Sequence, residues 1–120
     1  MATTTDLGRA RELSTGRYSA TLVDELGVAI ATLTTLTLSL YDVETGTILN
    51  SRNNQNVLNL ANVTFAAGAL VWSVQPADHA VVGSRELEKH RAVFEYTWSS
   101  GTKRDWHALE FTVEAEVEVT

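Results

Sequence analysis

A chain of 120 residues with 44% apolar and 20% charged positions is long enough for one hydrophobic core and too short for two; it is neither a disordered tail nor a membrane span. A formal charge of −6 with nine dispersed basic residues argues against nucleic-acid binding, which draws on clustered Lys and Arg. The absence of cysteine excludes disulfide staples, thiolate metal sites and cysteine nucleophiles, so packing and a backbone ladder must hold the fold.

Met1 to Asp6 are small and polar, without a basic start and apolar block, so no secretory signal is read and synthesis in a cytoplasm is expected. Residues 1–16 carry Thr3, Thr4, Thr5, Gly8, Ser14 and Gly16 and little apolar pattern. They read as an amino-terminal arm, loosely ordered unless docked on a partner, with Leu7, Arg9 and Arg11 as its candidate contact residues.

The folded domain is expected over residues 17–120. Tyr18, Ala20 and Leu22 share one face of a first strand, and Asp24-Glu25-Leu26-Gly27 closes it with a turn whose glycine can take positive φ. Thr32 to Tyr41 alternates Leu36, Leu38 and Leu40 with Thr35, Thr37 and Ser39, the pattern of a half-buried strand. Those interruptions also rule out a bilayer-crossing run. Asp42-Val43-Glu44-Thr45-Gly46 supplies a type I turn followed by a left-handed glycine, and Thr47 to Ser51 is expected to return as a short strand.

Arg52 to Asn56 is an asparagine-rich loop, and Val57 to Phe65 one weak or irregular strand. After an Ala66-Ala67-Gly68 turn, Leu70, Trp72 and Val74 share a face until Pro76, which cannot donate to a ladder. Ala77 to Lys89 lacks a period of two and reads as a long connection with one helical turn. His90 to Ser99 is extended again, with Ala92, Phe94, Tyr96 and Trp98 on one face. The carboxyl-terminal stretch alternates His107, Leu109, Phe111, Val113, Ala115, Val117 and Val119 with a largely acidic face. Glu110, Glu114, Glu116 and Glu118 on that face read as a solvated row that discourages edge pairing. For both apolar sets to share a core, an even residue must pair with an odd one. A two-residue type II′ turn at Gly101-Thr102 would do this, setting Phe94 opposite Leu109 and Tyr96 opposite His107.

Seven short strands with turn signals between them and no βαβ alternation predict an all-β fold. The expected form is an immunoglobulin-like Greek-key sandwich of two antiparallel sheets, with the connection before the penultimate strand crossing between them. A small barrel is the alternative.

Residues that carry chemistry lack support. His79, His90 and His107 sit at no ligand spacing, and Asp24/Glu25 and Asp42/Glu44 lack the Asp-x-Asp-x-Asp-Gly pattern of a calcium loop, so no metal is expected. There is no Gly-x-Ser-x-Gly elbow and no Gly-x-Gly-x-x-Gly or phosphate loop, which leaves no expected catalytic residue, nucleotide or other cofactor. Trp72 and Trp98 fall on core parities. Trp106 is expected to point outward at a loop edge, where it suits a protein interface or a sugar ring.

The segment Leu36 to Gly46, with the upstream Tyr-Ser-Ala-Thr-Leu-Val-Asp-Glu-Leu-Gly and the downstream Leu-Val-Trp-Ser-Val-Gln-Pro-Ala-Asp, resembles a recurrent tailed-bacteriophage pattern. It is similar to the immunoglobulin-like sandwiches of virion proteins, including the amino-terminal domain of baseplate upper proteins, over roughly residues 17–115. The chain departs from the baseplate pattern in its longer segment Pro76 to Lys89 and in ending at the sandwich. A stand-alone, cysteine-free, acidic sandwich of this kind is similar to head decoration proteins and to head-to-tail connector or neck proteins. The resemblance implies a non-enzymatic virion component, made in the host cytoplasm, that contacts capsid, connector or tail subunits and forms a homo-oligomer or ring, without nucleic acid or membrane. The expected contact residues are Leu7, Arg9 and Arg11 in the arm; Arg52, Asn53 and Asn54 in the loop; Asp78, His79, Arg85 and Glu88 in the connection; and Trp106. The alternative is a carbohydrate-binding or adhesin module using Trp106 and the asparagine-rich loop.

Overall fold

The computed structural model describes residues 3–83 and 86–115, with side chains from Gly8 onward. Its strands are β1 (Thr3–Arg11), β2 (Gly16–Thr21), β3 (Thr35–Asp42), β4 (Gln55–Asn56), β5 (Val63–Ala66), β6 (Ala69–Val74), β7 (Leu87–Trp98) and β8 (Lys103–Glu114). A 3-10 turn spans Pro76–His79. The strands form a five-stranded sheet in the order β1-β8-β7-β3-β4 and a three-stranded sheet in the order β2-β6-β5. The molecule is an all-β sandwich of two sheets.

Period-two alternation accounts for the layering. Leu36, Leu38 and Leu40 of β3, Ala92, Phe94 and Tyr96 of β7, and Leu109, Phe111 and Val113 of β8 are all buried. They meet Val63 and Phe65 of β5 and Leu70, Trp72 and Val74 of β6 in one core. Trp72 is completely buried, edge-on to Phe94 at 5.7 Å between ring centroids and tilted against Phe111 at 6.4 Å. Such edge-to-face contacts add about 0.5–1.5 kcal/mol to what area burial contributes.

The turns follow local chemistry. Asp42 accepts hydrogen bonds from the backbone N–H and hydroxyl of Thr45, and Gly46 closes the turn at φ +75°. Gly68 takes φ +87°, and a Cβ there would stand 2.8 Å from that of Ala29, so only glycine fits. The chain leaves the smaller sheet after Val74, where Pro76 ends β6, and enters the larger at Leu87.

Several expectations need correction. The stretch Thr47–Ser51 is not a strand: one bridge joins Ile48 to Tyr41, after which Asn50 and Ser51 turn left-handed. Of Val57–Phe65, only Val63 onward is strand, because Asn59, Ala61 and Asn62 also take positive φ. The β7–β8 loop has four residues, Ser99 to Thr102, so Phe94 faces His107, Tyr96 faces Asp105, and Ala92 faces Leu109. A slip of two residues leaves every side chain on its own face, so the core pattern is blind to it. What decides is the loop, in which Ser99, Ser100 and Gly101 all have positive φ and Thr102 bonds back to the Ser99 carbonyl through its N–H and hydroxyl.

The largest difference lies at the amino terminus. Thr3–Arg11, expected as a loose arm, is the edge strand β1, paired in parallel with β8 from Thr3↔His107 to Arg11↔Glu114. Polar composition hid it, since an edge strand satisfies its backbone by pairing and needs no apolar face of its own. The expected continuation of the last strand over residues 116–120 lies outside the described residues.

Truncation at the point where the layers meet tests the packing. Phe94→Ala is expected to lower unfolding free energy by about 3–5 kcal/mol, read from the urea midpoint at unchanged m-value.

Candidate functional site

Residues of odd number on β3 and β7 and even number on β8 point away from the core and form the outer face of the larger sheet. The register places Tyr41 beside Arg91, Arg91 beside Glu110, Val93 beside Ala108, and Glu95 beside Trp106. Tyr41, Arg91, Val93, Glu95, Trp106 and Ala108 line a shallow depression of about 240 Å³. Trp106 is 41% exposed, lying mid-strand rather than at a loop edge.

The depression is held in shape by charge pairs. The Arg91 guanidinium donates to Glu110, through Nε at 2.9 Å and through its terminal nitrogen, and to the Tyr41 hydroxyl at 3.2 Å. It also lies 5.9 Å from the Tyr41 ring centroid. Lys89 reaches the other Glu110 oxygen at 3.0 Å, and Arg104 pairs with Glu95 at 2.7 Å. These bonds from Arg91 and then Lys89 hold the Glu110 carboxyl below its ordinary range, while Glu110 and Tyr41 raise Arg91. The face therefore offers an exposed indole set among paired charges that donate and accept hydrogen bonds. It is equipped for binding.

Other expected contact residues lie in the interior. Arg52 and Asp78 are 2% and 0% exposed and form a buried fork, Nε to Oδ1 at 2.5 Å and the terminal nitrogen to Oδ2 at 3.3 Å. Asn50 and the Gln75 N–H also donate to Asp78, and Arg52 continues to Gln55 and the Ala61 carbonyl. The guanidinium stands 5.9 Å from the Trp72 ring centroid. Arginine suits this position because its planar donors satisfy several acceptors at once while its face covers an aromatic ring. Arg52 and Asp78 thus tie the asparagine-rich loop to the 3-10 turn, and are structural rather than contact residues.

Glu88 is likewise buried. Its carboxylate accepts from the N–H groups of Val82 and Gly83, at 2.8 Å each, and lies 2.9 Å from His90 Nε2. Asp42 Oδ1 stands 3.8 Å from the same nitrogen. Asp42, Glu88 and His90 offer ligand atoms within 4.8 Å of one another, which invites comparison with a metal centre. The fit is poor. A metal-bound imidazole passes its second nitrogen to an acceptor, whereas His90 Nδ1 is buried with none among the described residues, and both Glu88 oxygens already serve backbone donors. The cluster is a polar clasp holding the crossing connection against the 42–46 turn.

His79 is 6% exposed, edge-on to Phe111, with Nδ1 2.8 Å from the Ser14 carbonyl and 3.1 Å from its hydroxyl. A serine, a histidine and the adjacent Asp78 invoke a hydrolase. The Ser14 hydroxyl, however, donates to the Arg11 carbonyl, and Asp78 is engaged by Arg52. This contact locks the chain after β1.

Of the remaining expected contacts, Arg9, Arg11, Asn53 and Asn54 are exposed. Arg9 and Arg11 belong to one edge of the larger sheet, whereas Asn53 and Asn54 precede the opposite edge strand β4, where Asn54 bonds Ser39. The Leu7 side chain and Arg85 lie outside the described residues. Expectation missed Tyr41, Arg91, Val93 and Glu95, although their parity, opposite to that of Leu40 and Phe94, marks the same face as Trp106.

No family model matches the chain, and no curated protein matches it. Among solved structures it is similar to a sialyltransferase from Photobacterium damsela, at 18% identity and a TM-score of 0.44, over 94% of this chain and 18% of that one. The chain thus spans under a fifth of that protein's length.

Two measurements check these assignments. Asp78→Asn strips the buried guanidinium of its counter-charge and is expected to cost about 3–5 kcal/mol, whereas Asn53→Ala stays within about 0.5 kcal/mol in the same denaturation assay. Burial holds His79 and His107 below the ordinary imidazole value. The unfolded chain then binds protons more readily, so stability is full above about pH 6.5 and declines as pH falls toward the depressed folded values. Melting temperatures at pH 7.5, 6.5 and 5.5 should decrease in that order, and the slope should flatten in a His79→Gln, His107→Gln double variant.

Proposed function

We propose that this chain is a non-catalytic structural component of a tailed-bacteriophage particle, a head decoration or head-to-tail connector protein. It would be made in the host cytoplasm and act by contacts with other virion subunits and with copies of itself. The observation that carries this reading is the outer face of the larger sheet, where Trp106, Tyr41 and Arg91 surround one depression. Trp, Tyr and Arg are the side chains on which interface energy concentrates. The strand-and-turn pattern of residues 36–46 and the two-sheet fold agree with an immunoglobulin-like virion domain. The polar networks also leave His79, Asp78 and Glu88 occupied in holding loops.

A carbohydrate-binding module is the second reading, favoured by an exposed indole flanked by the Arg91–Glu110 and Arg104–Glu95 pairs, since a sugar ring stacks on one and bonds the other.

Trp106→Ala separates these. It is expected to leave the melting temperature unchanged and to weaken incorporation into particles about 30-fold, the equivalent of about 2 kcal/mol. Unchanged incorporation, together with wild-type glycan binding that Trp106→Ala abolishes, would select the second reading.

A further inference from the structure

We propose that β1 is an exchangeable strand: in an assembly of this chain, residues 3–11 leave their own β8 and take the same parallel register on β8 of a neighbouring copy. This rests on the homo-oligomeric reading above and names the contact that builds it. Three features of β1 point to it.

First, β1 is an edge strand hydrogen-bonded to β8 alone, in the one parallel pairing among the described strands, and parallel ladders hold less per residue than antiparallel ones. The pairing is also interrupted, its register shifting between Asp6 and Arg9 around Gly8 at φ +81°. Second, the described side chains of β1 contribute nothing to the core: Gly8, Arg9 and Arg11 are exposed and Ala10 is half-buried. The backbone hydrogen bonds that β1 gives up on leaving its own β8 are returned in kind by β8 of a second copy. Third, the connection from β1 to β2, Glu12 to Thr15, is short and strained. Leu13 is held at φ +56°, a left-handed conformation that a branched side chain rarely adopts, while 51% exposed. A short strained hinge favours exchange, because extending it between two copies relieves the strain. The far side of the hinge is fixed, since the Leu13 N–H donates to the His79 carbonyl and Ser14 is held by the His79 ring. The pivot thus lies at residues 12–13, and exchange at this point gives up the Ser14 bonds to the Arg11 carbonyl while the His79 contacts hold the chain beyond it.

The cysteine-free sequence permits a direct test. Arg9 and Thr112 are register partners across the β1–β8 pair, whereas Thr97 and Arg104 are partners within the β7–β8 hairpin. Two full-length variants, Arg9→Cys with Thr112→Cys and Thr97→Cys with Arg104→Cys, are refolded at high concentration, oxidised and run on denaturing gels without reductant. Light scattering gives the oligomeric state of the unmodified chain under the same conditions. The expected result is an oligomer in which the first variant forms disulfide-linked dimers and ladders while the second stays a cross-linked monomer. An oligomer whose first variant is closed only within each chain would overturn strand exchange and leave the homo-oligomeric reading intact. A chain that remains monomeric at every concentration would overturn both.

Discussion

Everything in this sandwich converges on Trp72. Its ring fills the space between the layers, with Phe94 and Phe111 of the larger sheet against it and the Arg52 guanidinium nearby. The same side chain therefore joins the apolar core to the polar interior. Through Arg52 it reaches Asp78 and so the 3-10 turn; through Phe111 it reaches His79 and His90, whose rings both pack edge-on against that phenyl. A small domain without disulfides gains much by this arrangement, because the loops that cross between sheets are tied to the best-packed point of the core rather than to one another.

The buried polar groups then have a common purpose. Asp78 gathers the asparagine-rich loop and the start of the crossing connection, Glu88 gathers that connection's far end, and Asp42 closes the neighbouring hairpin. Each accepts from backbone or side-chain donors that would otherwise be buried without partners. With these groups committed to structure, the proposed contacts fall to the outer sheet face and the sheet edges. The Arg91–Glu110 pair gives that face a rigidity that isolated surface charges lack, which favours recognition by a preformed shape.

Legibility in the sequence followed the physics of each feature. Side-chain parity was readable throughout: Leu36 to Leu40, Ala92 to Tyr96 and Leu109 to Val113 all face the core because burial acts residue by residue with a period of two. The β7–β8 register was not, because a two-residue slip preserves parity and the choice rests on left-handed serines that have no strong local signature. Nor was β1, whose described residues are held by backbone pairing and carry no apolar stripe. Arg52, Asp78 and Glu88 read as surface residues since charge near turns is usually solvated; their burial depends on partners 26 residues apart for the first two. Trp106 was legible as outward-facing, but its neighbours Tyr41 and Arg91 join it only through strand order.

The parallel course of β1 and β8 also sets the polarity of the whole object. Thr3 lies level with His107, toward the 99–102 tip, and Arg11 lies level with Glu114, toward the crossing connection. With about 3.3 Å per residue along seven steps of β8, the two levels are separated by roughly 23 Å. A fluorophore or gold label placed at residue 3 and another at residue 114 would mark opposite poles, so a pair of images suffices to tell which end of the domain faces inward on any larger body that carries it.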